Sequence, residues 1–332
     1  MKQIAIIGAG NWGTALAIIA ARAGHQVNLW SRDAGIVKSI NQDRVNSRYL
    51  SSTPIPADVT ATNDLGEAVR DATLILFAAP SHTARELLTA VSTFLAEPSI
   101  IVSVSKGIES ETGKRISEIA KEVVAAPHSF VCLSGPSFAK EVIAGHPTAI
   151  VAASKDISAA RAVQNDLSFE NLRIYTNSDV VGTELGGSVK NVMAIAAGMT
   201  TGLGFGSNSV AALITRGLAE ITRLARREGA QIETLMGLAG LGDLVLTCTG
   251  NLSRNRFVGE ELGRGKTLAE ISAGMNEVAE GINTARAVKK LADRASLEMP
   301  ITNEVNAVLY DGKPAPDAVA ELMSRPLREE IH

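Results

Sequence analysis

Residues 4–17 read IAIIGAGNWGTALA: an apolar run, glycines at 8, 10 and 13, then small and apolar residues. An apolar run of this length before glycine predicts a buried strand, and GTALAIIAARAG from Gly13 predicts a helix. Gly8 permits the tight turn between them. Gly10 lets a pyrophosphate approach the backbone, and Gly13 lets helix and strand pack closely. A helix opening on a glycine turn presents its N-terminus to phosphate. The stretch points to dinucleotide binding, with a purely structural turn as the alternative.

The pattern continues outward from this turn. Strand-like runs begin at Gln26 (QVNLWSR), Ala72 (ATLILFAAPS), Ser99 (SIIVSVSKG), Ser129 (SFVCLSGPS), Thr148 (TAIVAAS) and Asn171 (NLRIYTNS). Several are continuous in apolar residues, as strands covered on both faces must be. Helical patterns lie between the early ones, GTALAIIAARAG and, from Glu111, ETGKRISEIAKEVV among them. The expectation is an α/β fold: an N-terminal Rossmann-type dinucleotide-binding domain with a mostly parallel sheet, then an all-α C-terminal domain. Ligands in such sheets sit beyond the strands' carboxyl ends, and each run ends in a residue suited to that edge. After Ser178 strand-like runs fade, so the expected division is 1–178 for the dinucleotide domain and 179–332 for a helical substrate and catalytic domain. NSVAALITRGLAEITRLARREG predicts an amphipathic helix with Asn208 as a capping candidate and Gly229 closing it.

The second strand bears on the coenzyme. An NAD-selective site carries an acid at this strand's end, for the ribose 2′-hydroxyl. Here Trp30 and Ser31 end the run and Arg32 follows. Arginine suits a 2′-phosphate through bidentate, charge-assisted bonds. NADPH is therefore the expected coenzyme, with NADH possible, because Asp33 stands one residue on. A solvated loop arginine is the plainer reading of Arg32.

Composition narrows the class. The 332 residues are 45% hydrophobic and 20% charged, with a formal net charge of −3. That balance describes a globular protein with no bias toward nucleic acid or an anionic membrane. Cys132 and Cys248 lie far apart, outside any metal-type spacing, which fits buried thiols in a reducing cytoplasm. MKQIAIIGAG is too short an apolar start for a signal peptide. No apolar run approaches the ~18 residues of a membrane span, so none is expected.

A second decisive stretch is LGGSVKNVMAIAAGM, residues 185–199, which places one charge, Lys190, beyond paired glycines. Each glycine inside a helix costs about 1 kcal/mol relative to alanine. On a helix Thr183, Gly186, Gly187, Lys190, Ala194 and Ala197 share one face, all small except the lysine. Two readings stand equal on geometry. Either another helix packs closely while the lysine reaches water, or the face leaves room for a ligand beside the ammonium.

Other motifs tip the balance. SVSKG puts Lys106 just after a strand, and LSGPSFAKE puts Gly135, Ser137 and Ala139 just after another. AGLGDLVLTC spaces Asp243 and Thr247 four apart in an apolar setting, where a carboxylate needs a partner such as a lysine. SRN, residues 253–255, offers Ser253, Arg254 and Asn255 at a helix start, favourable for phosphate. The histidines are His25, His82, His128, His146 and His332. None belongs to this set, so neither a catalytic histidine nor a metal site is expected.

With these residues assembled, the chain resembles the bacterial NAD(P)-dependent glycerol-3-phosphate dehydrogenase family over essentially its whole length. The resemblance rests on IIGAGNWGTALA, VSVSKGIE, LSGPSFAKEV, GGSVKNVMAIAAGM, GLGFGSNSVAALITRGLAE, AGLGDLVLTCT, SRNRFVGEELG and VAEG. The chain departs from it at Asn11, where serine is common, at Ser188, where alanine is common, and around Asp33.

The resemblance implies reversible hydride transfer between NAD(P)H and dihydroxyacetone phosphate, supplying glycerol 3-phosphate for phospholipid synthesis. It implies that Lys190 donates and accepts the proton and that Lys106, Gly135 and Ser137 line the substrate site. Asp243, Ser253, Arg254 and Asn255 would hold the hydroxyl and phosphate ends. Asn11, Trp12, Arg32, Lys106, Ala139, Arg254, Val278 and Glu280 match positions associated with the dinucleotide.

Physical reasoning on those residues agrees. An ammonium beside a carbonyl stabilises the negative charge that develops as hydride arrives, and then supplies the proton. Burial and Lys106 should lower the pKa of Lys190, while Asp243 opposes this and Thr247 holds the network. On this reading Gly186 and Gly187 clear room for nicotinamide and substrate. The other enzymes to weigh are two-domain hydroxyacid dehydrogenases, which share a Gly-x-x-x-Lys helix; a non-catalytic nicotinamide sensor would leave Lys190, Lys106 and Asp243 without a shared task. The partner is then a small phosphorylated substrate rather than nucleic acid or membrane, and small-residue helices in the second half suggest a homodimer.

Overall fold

The computed structural model describes residues 1–95, 98–125, 127–275, 279–327 and 329–330. Eight strands form one sheet: β1 (Gln3–Ile7), β2 (Gln26–Trp30), β3 (Val59–Thr62), β4 (Leu74–Phe77), β5 (Ser99–Ser103), β6 (His128–Ser134), β7 (Thr148–Ala153) and β8 (Leu172–Asn177). Their order is β3-β2-β1-β4-β5-β6-β7-β8. In β1, Ile4 and Ile6 join one core and Ala5 and Ile7 another, on opposite faces. Successive side chains of a strand point to opposite faces, so a sheet buried on both sides reads as an unbroken apolar run. Seven of the strands were legible for that reason. The edge strand β3 was not, because VTAT is four residues long and pairs only with β2.

All strand pairs are parallel except β6 with β7. The carboxyl ends of β7 and β8 therefore lie on the sheet edge opposite those of the first six strands. This corrects the expectation that every run ends at the ligand edge.

Among the described residues seven α-helices accompany the strands: α1 (Asn11–Arg22), α2 (Ala34–Asp43), α3 (Leu65–Val69), α4 (Ala84–Ser92), α5 (Ile116–Val123), α6 (Ala139–Ile143) and α7 (Ile157–Leu167). Residues 111–115, expected to open a helix, instead form a turn bridged between Ile108 and Arg115. From Val180 the chain is helical: α8 (Val180–Gly202), α9 (Ser207–Arg227), α10 (Ile232–Leu235), α11 (Asp243–Thr249), α12 (Arg254–Gly263), α13 (Leu268–Ala273), α14 (Glu280–Arg294), α15 (Pro300–Tyr310) and α16 (Ala315–Ser324). Gly206, one residue before α9, holds its N-cap position with no side-chain cap, so Asn208 lies inside the helix. Gly229 closes it at φ +89°.

The reversal at β7 and β8 positions the site. Asp179 caps α8 by accepting from Gly182 N, and the helix then runs back along the sheet. Ten residues of helix rise about 15 Å, close to the length of a five-residue strand at about 3.3 Å per residue. Lys190 is thereby carried to the edge where β1, β4, β5 and β6 end. Nearly all of α8 is buried among the other C-terminal helices. Its crossing with α12 is close: a Cβ on Gly198 would lie 2.0 Å from Arg256 O, and one on Gly259 1.9 Å from Ile195 O.

The stretch Ile232–Thr249 has a mean hydropathy of 1.3, enough on composition to cross a membrane. That departs from the expectation of no such run. It is broken into α10, a π-helical turn at Leu238–Gly242, and α11, and it carries Asp243 and Thr247 inward.

Candidate active site

A cavity of about 1050 Å³ opens between the ligand edge of the sheet and the helical half. The glycine turn forms its floor. Gly8 stands at φ +117°, where an added Cβ would lie 2.8 Å from the backbone of Ala79. A Cβ on Gly13 would lie 1.9 Å from Gly8 O, whereas Gly10 faces open space. Gly10 is also the N-cap of α1 and offers no side chain to it. The turn thus fits a dinucleotide phosphate: two glycines are forced by packing and the third leaves the helix N-terminus approachable.

Asn11, Trp12, Arg32, Lys106, Ala139, Arg254 and Glu280 all line the same cavity. Val278 lies outside the described residues. Arg32 is exposed and makes no ion pair among the described residues. Asp33 caps α2, its Oδ1 accepting from Gly35 N at 2.8 Å and Ile36 N at 3.3 Å.

The deepest part is built around one carboxylate. Asp243, 1% exposed, takes Lys190 Nζ on Oδ1 at 2.8 Å and Lys106 Nζ on Oδ2 at 2.8 Å. Thr247 Oγ1 donates to Asp243 O at 2.6 Å, one turn back, so its lone pairs face Lys190 Nζ at 2.7 Å. Two of the three ammonium hydrogens of Lys190 are thereby engaged, and the third remains for the cavity this lysine lines. Lys106 Nζ also donates to Gly135 O at 3.0 Å. Burial lowers the Lys190 pKa to about 8; Asp243 raises it and Lys106 adds to the lowering. The lysine is fixed by carboxylate and hydroxyl rather than reaching toward water.

Gly186 and Gly187 have a different reason from the one expected. A Cβ on Gly186 would lie 2.6 Å from the carbonyl oxygen of Ala239, and one on Gly187 2.6 Å from Ser134 Oγ. Protein fills both spaces, so these glycines let the π-helical turn and β6 approach α8 rather than clearing room for nicotinamide and substrate.

On the helical side Ser253 caps α12 by accepting from Arg256 N at 3.2 Å. Asn255 Oδ1 accepts from Gly281 N at 2.9 Å, leaving its N–H₂ as a donor pair. Ser253, Arg254 and Asn255 all border the cavity, as does Ser137, whose hydroxyl donates to Gly135 O at 3.1 Å. Gly135 contributes that carbonyl but does not itself line the space. Burial pushes the Arg254 pKa down and Glu280 pushes it back up; burial also raises the Glu280 carboxyl, which accepts from Ser81 N at 3.3 Å. Around this part of the cavity Lys106, Lys190 and Arg254 outnumber the carboxylates Asp243 and Glu280, which suits a phosphorylated anion.

Sequence reading missed Asn191, whose Nδ2 donates to Lys106 O at 3.1 Å and holds that lysine's backbone. It also missed Arg48, Tyr49 and His82 on the dinucleotide side. Asn191 directly follows Lys190, which was a signal. The others follow only from the fold. His25 is buried between Lys2 N and Asp166 O, away from the site, and His332 lies outside the described residues.

Residues 3–160 match the family model described as NAD-dependent glycerol-3-phosphate dehydrogenase N-terminus, and residues 179–320 match its C-terminus. A glycerol-3-phosphate dehydrogenase (NAD(P)+) of Koribacter versatilis is 53% identical over 100% of this chain and 99% of its own length. One from Citrifermentans bemidjiense is 49% identical over 99% of each chain. A crystal structure of glycerol-3-phosphate dehydrogenase from Coxiella burnetii superposes with a TM-score of 0.94 at 40% identity, covering 98% of this chain and 99% of that one.

Proposed function

The chain belongs to the NAD-dependent glycerol-3-phosphate dehydrogenase family, and from that premise we propose that Lys190 is the acid and base of its reaction. The enzyme is an NAD(P)-dependent oxidoreductase interconverting dihydroxyacetone phosphate and glycerol 3-phosphate. The observation that carries the assignment is the Lys190–Asp243–Lys106 cluster at the end of the dinucleotide cavity.

When bound, the dinucleotide supplies or accepts the hydride. Gly8, Gly10, Gly13, Asn11, Trp12 and Ala139 would hold it, with Arg32 at the adenosine ribose and Lys106, Arg254 and Glu280 toward the nicotinamide; Val278, which the family resemblance assigns to the same ligand, lies outside the described residues. NADPH is the preferred form in this reading, because Asp33 is committed to capping α2 while Arg32 is free for a 2′-phosphate.

In reduction, the third N–H of Lys190 donates to the carbonyl oxygen, stabilises its developing charge, and then transfers the proton to it. In oxidation the neutral amine takes that proton back. Asp243 and Thr247 hold the ammonium in place through both directions. Lys106 and Ser137 border the triose, both held by the Gly135 carbonyl behind them, and Ser253, Arg254 and Asn255 receive its phosphate at the start of α12. Binding energy from that remote phosphate positions the carbonyl.

The same reading divides the chain into 1–178 and 179–332, a division supported by the end of β8 at Asn177 and the start of α8 at Val180. It also makes the protein a cytoplasmic homodimer that supplies glycerol 3-phosphate for phospholipid synthesis. The test is coenzyme oxidation with dihydroxyacetone phosphate beside unphosphorylated dihydroxyacetone. Rapid turnover is expected only with the phosphorylated ketone. A folded, coenzyme-binding protein that oxidises neither NADPH nor NADH overturns the activity.

A further inference from the structure

The segment after α2 crosses to the coenzyme cavity and adds a second arginine to the lining that holds Arg32. Arg48 Nη1 lies 3.2 Å from Asp33 Oδ2, the carboxylate oxygen not used in capping α2. Its guanidinium carbon is 5.6 Å from the centre of the Tyr49 ring, and Arg32, Asp33, Arg48 and Tyr49 all line the cavity where β2 ends. The segment is anchored to the glycine turn itself. Asn46, fully buried, donates to Ala9 O at 2.9 Å and Thr14 Oγ1 at 2.8 Å and accepts from Tyr49 N at 3.3 Å. A half-exposed ion pair of this kind contributes little to stability, so its position calls for another reason.

We propose that Arg48, by holding Asp33, is a second determinant of coenzyme choice beside Arg32. This rests on the NADPH reading above. A 2′-phosphate at the end of β2 meets two guanidinium groups, each able to bond it bidentately. A 2′-hydroxyl would instead donate to a free acid at this place, as in NAD-selective sites. Here Arg48 occupies that acid's remaining oxygen, so the ribose of NADH must compete with a guanidinium for it. One residue thus favours the phosphorylated coenzyme and hinders the other.

The test measures NADPH and NADH dissociation constants of the full-length protein by tryptophan quenching, for Arg48→Ala, Arg32→Ala, Asp33→Asn and Arg48→Ala/Asp33→Asn, with unfolding midpoints checking each fold. Arg48→Ala is expected to weaken NADPH about tenfold or more, the size of one charge-assisted bond, and to leave NADH unchanged or tighter. Any NADH gain should vanish in the double variant. Equal weakening of both coenzymes by Arg48→Ala, or no change in either, overturns the proposal. If Arg32→Ala is selective for NADPH and Arg48→Ala is not, this inference alone falls. If Arg32→Ala weakens both equally, the 2′-phosphate reading beneath it fails instead.

Discussion

Lys190 and Asp243 stand 53 residues apart in sequence and 2.8 Å apart in space, both almost wholly buried. A buried ammonium is stable only if a carboxylate and hydrogen-bond acceptors replace its water. Asp243 and Thr247 do so while sparing one hydrogen. The arrangement keeps a poised acid in a dry pocket.

Its pKa of about 8 sets the pH dependence. Reduction needs the ammonium, so single-turnover reduction should fall as pH rises through about 8, and oxidation should rise through the same range. Asp243 raises this pKa and Lys106 lowers it. Asp243→Asn should therefore move the midpoint to lower pH as well as slow the reaction. A midpoint that stays put or moves upward sinks the assignment of Lys190 as the titrating group.

Lys190→Ala should reduce turnover by about 10²–10⁴, the usual contribution of a general acid. Coenzyme affinity, measured by quenching, should remain near normal, because the contacts of Lys190 are with Asp243 and Thr247 and not with the glycine turn or β2. Parallel loss of turnover and coenzyme binding would mean that the variant has disturbed the fold rather than the chemistry.

Much of this site was legible beforehand, because the residues that serve a ligand edge follow strands or open helices. Gly8, Gly10, Lys106, Ser137 and Ser253 each sit at such a junction. Less visible were features made by chain reversal. The antiparallel β6–β7 pair, which sends α8 back toward the site, leaves no mark in an apolar run. Nor does the union of Lys106 with Asp243, 137 residues away, since pairing of buried charges depends on which elements meet. Arg48 carries no motif in the sequence, and its place at the cavity depends on Asn46 tying this segment to Ala9 O.

Arg254→Ala tests the phosphate end. The KM for dihydroxyacetone phosphate should rise about 10- to 100-fold, as expected for losing a charge-assisted contact. With coenzyme saturating, so that any coenzyme contact of Arg254 is not read, turnover of unphosphorylated dihydroxyacetone, however slow, should change little, since it has no phosphate to lose. If both substrates suffer alike, Arg254 serves the coenzyme or the fold, not the phosphate.

The glycines of α8 give a test that can be cancelled by design. Gly187→Ala should destabilise the protein by about 1–3 kcal/mol, the usual range for overpacking, because its Cβ would meet Ser134 Oγ at 2.6 Å. Ser134 Oγ is buried and makes no hydrogen bond among the described residues, so Ser134→Ala should do little by itself. With that oxygen gone, the nearest atom to the new methyl is Lys106 Cγ at 3.6 Å, an ordinary contact. The double variant should then recover its stability and keep about 1 kcal/mol of helix propensity gained over glycine. Gly186→Ala should have no such remedy, since it meets the Ala239 carbonyl, which is backbone. Denaturant titration of the four variants decides the matter. Additivity between Gly187→Ala and Ser134→Ala would mean that the contact is not what forbids a side chain at 187.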